Sequence, residues 1–287
     1  MKRKKIVLFG ATGMAGHVAY FYLKATGKYE ITNVVYRTKL NDESIILDIT
    51  DKEATEALIL SLQPDILLNC VGVLIKGSQE FPDNAIYINA YFPHLLERIA
   101  SSINAKLIHI STDCVFSGKK GNYEESDERD ADDVYGKSKG LGEVINDKDL
   151  TIRTSIIGPE LKQNGEGLFH WFMKQNGVIN GFSKAFWSGV TTYELAKAID
   201  AIIEQNITGL LHLTNGEKIT KYDLLSLFKE IWKVDKVQIN LIEGKSVDKS
   251  LNSTIKNFKY KVPSYREMIL SQKEFTNDYK ELYTQYQ

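Results

Sequence analysis

The sequence predicts an α/β protein with a doubly wound parallel sheet and a smaller C-terminal lobe. Two observations support this fold class. Short, almost wholly apolar runs alternate with helical patterns along residues 1–154, as in parallel strands that are covered on both faces. The first apolar run also ends in a glycine-rich turn that leads into a helix. At 287 residues, the chain is long enough for a main domain and a lobe.

The first strand, Lys4 to Phe9, is followed by glycines in the spacing Gly-x-x-Gly-x-x-Gly and then by a helical pattern through Leu23. Glycines in this position let the backbone approach a pyrophosphate, and they direct the N–H groups of the helix start towards it. The order of strand, turn and helix makes the motif specific, and it indicates a Rossmann-type domain. We therefore predict that the cofactor contacts Gly10, Thr12, Gly13, Met14 and Gly16.

The second strand, Glu30 to Tyr36, indicates which dinucleotide binds. An acidic residue usually meets a free ribose 2′-hydroxyl about 20 residues after the glycines, but this region reads Tyr36-Arg37-Thr38-Lys39. Arg37 can bind a 2′-phosphate through two hydrogen bonds, so the sequence favours NADPH and leaves NADH open. The alternative is that these cations are simply solvated.

Further units of the sheet follow in order. The pattern predicts a short strand at Ile45 to Asp48, a helix at Lys52 to Leu62, a strand at Asp65 to Cys70, a helix at Asn84 to Ser102, and strands at Lys106 to Ser111 and Leu150 to Thr154. Ligands of such sheets lie beyond the carboxyl ends of the strands, near the point where the strand order reverses. Residues 69–72 and 111–116 are therefore expected at the site.

Tyr135 and Lys139 stand four residues apart, which on a helix places a phenol and an ammonium on one face. An ammonium at ~5 Å from a phenol lowers the phenol pKa by about 2 units, and Thr112 supplies a hydroxyl within reach of the same phenol. The sequence thus predicts an acid/base group formed by Thr112, Tyr135 and Lys139. For an isolated pair with this spacing, a solvated helix face is the better interpretation.

Composition excludes several classes of function. A net charge of −1 gives no electrostatic reason to bind nucleic acid or a membrane. The two cysteines and five histidines show no metal-ligand spacing, so no metal site is expected. The basic start, Met1 to Lys5, precedes an apolar run that is too short for a signal peptide, and no run is long enough to span a membrane. We expect a cytoplasmic protein.

Several motifs together resemble the extended short-chain dehydrogenases/reductases, and within them the dTDP-4-dehydrorhamnose reductase group. The matching segments cover most of the first two hundred residues. They are the glycine turn, the run from Ile110 to Gly118, Tyr135-Gly136-Lys137-Ser138-Lys139 leading to Gly142-Glu143, Arg153-Thr154-Ser155, and Gly189-Val190-Thr191-Thr192.

The resemblance implies a role for each matching residue. Tyr135 would protonate a sugar carbonyl as hydride arrives from the nicotinamide, Lys139 would hold the nicotinamide ribose and lower the Tyr135 pKa, and Thr112 would bond the same oxygen. Asp48 and Ile49 match the position that contacts adenine, although Asp48 reads equally well as a turn or cap residue. The remaining residues expected to line the cofactor are Cys70, Val71 and Gly72.

The resemblance also places a nucleotide-sugar lobe in residues 155–287, partly interleaved with the first domain and containing short strands at Gly209 to Thr214 and Val237 to Leu241. The residues expected to contact substrate are Lys76, Asp113, Cys114, Ile156, Lys184 and Trp187. Cys114 and Ile156 stand where the reductases usually have Tyr and Trp, so the identity of the sugar stays open.

The predicted activity is NADPH-dependent reduction of the 4-keto group of a nucleotide-activated 4-keto-6-deoxy sugar, for polysaccharide biosynthesis. Dehydratases on this scaffold follow the catalytic Thr with Asp and Glu, whereas this chain has Asp113 and Cys114. An epimerase or dehydratase is one alternative. A non-catalytic NADP-binding regulatory subunit is another, because the regulatory subunit of methionine adenosyltransferase resembles the same group. A homodimer is left open.

Overall fold

The computed structural model describes residues 3–286, so Met1 and Lys2 of the basic start lie outside the described residues. The described chain forms a central sheet with a smaller lobe beside it. In chain order the strands are β1 (Lys4–Phe9), β2 (Tyr29–Val35), β3 (Ile45–Ile46), β4 (Ile66–Asn69), β5 (Lys106–Ile110), β6 (Leu150–Arg153), β7 (Ile156–Ile157), β8 (Gly177–Phe182), β9 (Ala185–Trp187), β10 (Val190–Thr191), β11 (Gly209–His212), β12 (Ile219–Thr220), β13 (Val237–Ile242) and β14 (Val247–Asp248).

The central sheet has seven strands in the order β11-β6-β5-β4-β1-β2-β3, and every neighbouring pair in it is parallel. The strand order reverses between β1 and β4, where Leu8 lies opposite Leu68. A cleft opens at such a point beyond the carboxyl ends of the strands. The predicted doubly wound parallel sheet is therefore confirmed.

The helices cover both faces of this sheet. In chain order they are α1 (Met14–Ala25), α2 (Lys52–Leu62), α3 (Ile75–Glu80), α4 (Pro82–Ala85), α5 (Phe92–Ser102), α6 (Val134–Leu141), α7 (Leu168–Met173), α8 (Thr192–Gln205), α9 (Lys221–Trp232) and α10 (Tyr265–Asp278). Several starts are capped as their sequences indicate: the carboxylate of Asp51 accepts from the Ala54 N–H, and that of Asp133 accepts from Gly136.

Alternation along β1 divides the core into two layers. Ile6 and Leu8 pack in a large cluster with α1 and α8, whereas Val7 and Phe9 pack on the opposite face with α5. Successive side chains of a strand point to opposite faces, so a strand that is buried on both sides has to be apolar throughout. This requirement is why the apolar runs revealed the strands.

Several elements differ from their predicted bounds or pairing. β2 ends at Val35. β3 ends at Ile46, and in the turn that follows the carboxylate of Asp48 accepts from the N–H and hydroxyl of Thr50. The predicted helix at 84–102 contains a π-helical stretch, Ile86–Tyr91. β11, which was expected among the lobe strands, pairs instead with β6 in the central sheet.

The lobe contains three small sheets: β10 with β7, β12 with β9 and β14, and β13 with β8. α9 packs against β8, β9, β12 and β13, and α10 packs against α9, α8 and β10. Within residues 3–286 no helix is both long and apolar enough to cross a membrane.

Candidate active site

The glycine turn is built by close backbone contacts at the end of β1. Gly10 adopts a φ of +81°, and its N–H donates to the Val34 carbonyl of β2 at 3.1 Å. A Cβ atom at residue 16 would lie 2.1 Å from the Gly10 carbonyl oxygen, so only glycine lets α1 start this close to the strand. Gly10 and Gly16 therefore set the shape of the turn through backbone contacts, and neither lines the cavity itself.

The start of α1 faces the cleft without a side-chain cap, because Gly13 occupies the N-cap position. The N–H groups of the first helical turn are thus directed at a cavity of about 700 Å³ whose wall includes Thr12, Gly13 and Met14. Free N–H groups together with the positive end of the helix dipole form an anion site. This arrangement fits the pyrophosphate of a dinucleotide.

The cavity lies at the switch point between β1 and β4 and collects residues from both halves of the sheet. Thirteen of the predicted site residues line it: Thr12, Gly13, Met14, Cys70, Val71, Gly72, Lys76, Thr112, Asp113, Cys114, Tyr135, Lys139 and Ile156. The glycine turn and the predicted acid/base group therefore line the same cavity, so a cofactor held at the turn would lie next to the acid/base group.

Tyr135 and Thr112 both line this cavity, and the Thr112 hydroxyl interacts with the Tyr135 phenol. Burial raises the Tyr135 pKa well above its ordinary value, and the neighbouring Cys114 adds to the rise. The expectation that Lys139 lowers this pKa by about 2 units is wrong for this structure, because loss of hydration outweighs any nearby positive charge. At neutral pH the phenol keeps its proton.

Lys139 is buried, and its ammonium is directed away from bulk water. Nζ donates to the Ile110 carbonyl at 2.6 Å and lies 3.4 Å from Nε2 of His109. Burial lowers the Lys139 pKa to about 8, although the carboxylate of Glu143 opposes the change. A lysine that titrates near 8 exchanges its proton readily in the neutral range.

Asp113 and Cys114 form the wall next to Thr112. The carboxylate of Asp113 accepts from the Thr112 hydroxyl at 3.1 Å, and burial raises the Asp113 pKa. Burial, assisted by the charge of Asp113, raises the Cys114 pKa to about 12. The thiol is therefore protonated at neutral pH and cannot replace a carboxylate base.

The helix carrying Tyr135 and Lys139 is held against the π-helical stretch. Asn89 of that stretch is fully buried; its amide nitrogen donates to Ser138 Oγ at 3.1 Å, and its oxygen accepts from the Val73 N–H at 2.8 Å. A Cβ at Gly142 would lie 1.9 Å from the Asn89 carbonyl. The π-helical stretch thus connects α6 to the loop that lines the cavity.

Besides Gly10 and Gly16, three predicted cofactor residues lie outside the cavity wall. Arg37 is exposed, with its guanidinium stacked 4.4 Å from the Tyr36 ring centre, at the same edge of the sheet as the glycine turn. Asp48 is the turn residue that the alternative interpretation described. Ile49 is half-buried against the α5 face of the sheet.

Two predicted substrate residues are not brought to the cavity. Lys184 forms an exposed ion pair with Glu243 at 2.7 Å. Trp187 is buried, and its indole N–H donates to Ser155 Oγ at 2.9 Å, so it supports the wall from behind. Both lie on or beside β9 in the lobe, and their position there explains why they do not line the cavity.

Other residues line the cavity without having been predicted. Ser155 follows β6, so the rule about carboxyl ends of strands, applied to one more strand, would have found it. Glu160, Leu161, Lys162 and Glu166 belong to a loop that closes the lobe side. The C-terminal Tyr286 holds this loop: its hydroxyl accepts from the Glu160 N–H at 3.0 Å. No local pattern reveals a contact of this range.

The fold and the site define a class. A parallel sheet with a glycine turn at its switch point, and a Thr, Tyr and Lys group in the same cavity, is the arrangement of an extended short-chain dehydrogenase/reductase. The chain belongs to the RmlD substrate binding domain family, whose model matches residues 4–284.

Individual relatives agree with this assignment. The dTDP-4-dehydrorhamnose reductase of Aggregatibacter actinomycetemcomitans is 26% identical over 239 residues, which cover 79% of each chain. Methionine adenosyltransferase 2 subunit beta of Bos taurus is 24% identical over 77% of this chain and 70% of its own. The structure of a Bacillus anthracis dTDP-4-dehydrorhamnose reductase in complex with NADP superposes with a TM-score of 0.78 at 21% identity, covering 96% of this chain and all of its own.

Proposed function

We propose that this protein reduces the 4-keto group of a nucleotide-activated 4-keto-6-deoxy sugar with NADPH, in the cytoplasm, in the supply of a deoxysugar for polysaccharide. The observation that carries the proposal is the shared cavity. Thr112, Tyr135 and Lys139 line the same space as the start of α1, so an anchored dinucleotide and a proton donor reach one substrate. Residues 155–287 contribute most of the lobe that would hold the nucleotide sugar, and Ile156 and the loop at 160–166 form its share of the wall.

The residues perform the proton half of the reaction. The cofactor supplies the hydride when it is bound. Tyr135, whose pKa is raised by burial, carries a proton at neutral pH and gives it to the carbonyl oxygen. The Thr112 hydroxyl, which donates to Asp113 in this structure, turns to donate to that same oxygen and so stabilises the developing negative charge. Lys139, with a pKa lowered to about 8, then holds a proton one helical turn from the phenolate.

NADPH is favoured over NADH by the end of β2. Gly10 and Ala11 both donate to the Val34 carbonyl, which ties the end of β2 to the pyrophosphate turn. Arg37 follows only three residues later, and among residues 3–286 no carboxylate forms an ion pair with it. A guanidinium in this position suits a ribose 2′-phosphate. The NADP complex of a structural relative is consistent with that choice.

A regulatory role is the second candidate function, because a methionine adenosyltransferase subunit is among the relatives. A subunit that only binds the cofactor has no need of a proton donor. The presence of Thr112, Tyr135 and Lys139 together in the cofactor cavity therefore favours catalysis.

The test is NADPH oxidation against a panel of dTDP-, UDP- and GDP-linked 4-keto-6-deoxy sugars generated in situ. We expect one nucleotide series to be turned over with one NADPH consumed per sugar. If none of these sugars is turned over and the protein binds a partner enzyme tightly, the regulatory function is favoured over the reductase function.

A further inference from the structure

A buried histidine lies directly behind Lys139, and the reductase mechanism does not use it. His109 is 0% exposed and stands on β5 opposite Asn69 of β4, in register. Its two ring nitrogens have separate neighbours: Nδ1 is 3.1 Å from the Asn69 amide nitrogen, and Nε2 is 3.4 Å from Lys139 Nζ. The imidazole therefore bridges the centre of the sheet and the catalytic helix.

The hydrogen-bond pattern determines which ring nitrogen carries the proton. The Asn69 side-chain oxygen accepts from the Val71 N–H at 3.1 Å, so the amide nitrogen is the group that faces His109. An amide nitrogen only donates, and Nδ1 must accept from it. Burial and the positive charge of Lys139 hold the His109 pKa well below its ordinary value, so the ring is neutral and its single proton is on Nε2.

This tautomer presents an N–H group to Lys139. A charged Lys139 has only N–H donors to present to this N–H group, so no hydrogen bond can form between them. A neutral Lys139 amine accepts a hydrogen bond from Nε2 and still donates to the Ile110 carbonyl. We propose that His109, held by Asn69 as the Nε2–H tautomer, favours the neutral amine of Lys139 and so makes its proton easier to release. His109 is thus a positioning residue that acts through Lys139.

The other groups around Lys139 are consistent with this role for the histidine. Glu143 favours the charged lysine, but its carboxylate is taken up by Arg153 and Arg129. Cys70 carries no charge at neutral pH, because burial raises its pKa to about 12. His94, the remaining titratable group that acts on His109, is exposed and donates to the Leu141 carbonyl. His109 is a neutral donor whose Nε2 lies 3.4 Å from Nζ.

The inference rests on the proposed function for its consequence: a labile Lys139 proton can restore Tyr135 after each turnover. If Lys139 must be charged during reduction, the alkaline limb of kcat/KM reports its titration. Replacing the imidazole by an apolar side chain of similar size removes the opposing N–H, so the limb moves to higher pH.

The experiment measures protonation in the substrate-free protein. We expect ¹⁵N NMR of the wild-type imidazoles to show His109 with Nε2 protonated and Nδ1 bare. We expect lysine NMR, assigned with Lys139→Met, to show Lys139 titrating near pH 8 and, in His109→Met, at least about one pH unit higher. His94→Gln, which changes an exposed histidine, should leave the Lys139 titration unchanged.

Each contrary result overturns the inference. These are an Nδ1–H tautomer, a wild-type Lys139 that titrates as an ordinary lysine, and a Lys139 titration in His109→Met that stays in place or moves down. If His109→Met does not fold, the wild-type tautomer still decides, because only an Nε2–H ring presents a donor to Lys139. None of these measurements needs a substrate. A failed reductase assay therefore does not affect this test, and a confirmed reductase activity does not support the inference if the NMR results contradict it.

Discussion

The guanidinium of Arg153 holds both carboxylate oxygens of Glu143, with Nε–Oε1 and Nη2–Oε2 distances of 2.7 Å. The two side chains are 2% and 0% exposed. Glu143 follows the helix of Tyr135 and Lys139, and its Oε1 also accepts from the Ser111 hydroxyl at 2.8 Å. The pair therefore fastens the end of the catalytic helix to β6 and to the strand end that precedes the catalytic threonine.

Breaking this pair should strongly destabilise the fold. In Arg153→Ala the Glu143 carboxylate stays buried with only the partly exposed Arg129 left as a cationic partner, at 3.1 Å, and loss of one partner of a buried pair costs roughly 3–5 kcal/mol. Urea unfolding measures the change. Arg266→Ala is the matched control, because Arg266 also binds a carboxylate, that of Glu230, through two hydrogen bonds but at the surface, where water screens the pair. Equal losses of unfolding free energy in the two variants would show that burial of the Arg153–Glu143 pair does not determine its contribution to stability.

The stability of the glycine turn should depend on His17. Its Nδ1–H donates to the Gly13 carbonyl at 2.7 Å, its Nε2 accepts from the Tyr283 hydroxyl at 2.8 Å, and burial lowers the His17 pKa to about 4. As the pH falls below 6.5, His17 takes up a proton in the unfolded chain, whereas in the folded protein it stays neutral until about pH 4. The stability that the neutral ring provides is complete above pH 6.5 and is lost between 6.5 and 4.

Unfolding in urea at pH 7 and pH 4.5 tests this contribution. Between these values wild type should lose about 2 kcal/mol more than His17→Gln, since the glutamine has no proton to take up. His94→Gln, at an exposed position, should behave like wild type. A His17→Gln protein with the wild-type loss would assign the acid sensitivity to other groups.

Sequence reasoning located the parts of the site that depend on neighbouring residues in the chain. The glycine turn, the Tyr135 helix and the residues after β4 and β5 are local patterns, because each needs only a strand, its end and the next helix. The strand pattern also predicted the sheet, since apolar runs are required wherever both faces are covered.

The rest depends on contacts between distant segments. The Tyr135 pKa was predicted in the wrong direction because spacing reveals the lysine but not the burial. Trp187 looked like a substrate residue, yet it supports Ser155 from behind. The loop containing Glu160 is positioned by Tyr286, 126 residues away. None of these relationships leaves a period or a motif in the sequence.

Tyr135→Phe should abolish most of the turnover. The substitution keeps the ring and its packing but removes the proton, and general acid catalysis typically contributes 10² to 10⁴-fold. We expect kcat to fall by this factor while NADPH binding, followed by cofactor fluorescence, changes little. Tyr123→Phe is a control, because its hydroxyl accepts from Gly118 and Lys120 away from the cavity wall. A folded Tyr135→Phe protein with near wild-type kcat would remove the phenol from the mechanism.

Arg37→Ala should change the cofactor preference. A hydrogen bond to a charged group contributes roughly 1.5–3 kcal/mol, so the Kd for NADPH should rise about ten- to a hundredfold while that for NADH stays near its wild-type value. Titration of each cofactor by fluorescence gives both constants. An equal loss for the two cofactors would mean that Arg37 does not contact the 2′-phosphate.

The protein should reduce 4-keto sugars and should not dehydrate 4-hydroxy sugars. Dehydration of a nucleotide sugar needs one group to protonate the leaving hydroxyl and a base to remove the C5 proton. Asp113 can supply one carboxyl group, but the neighbouring position holds Cys114, whose pKa is raised to about 12. Such a thiol carries almost no charge at neutral pH and cannot act as the base.

Dehydration also returns its hydride to the same sugar and keeps its NAD, whereas reduction must exchange the spent cofactor at every turnover. We therefore expect NADPH consumption to match product formation with a 4-keto substrate. With dTDP-glucose or UDP-N-acetylglucosamine and no added reductant, mass spectrometry should show no loss of water. A 4-keto-6-deoxy product under those conditions would identify a dehydratase and would require a base other than Cys114 in the cavity.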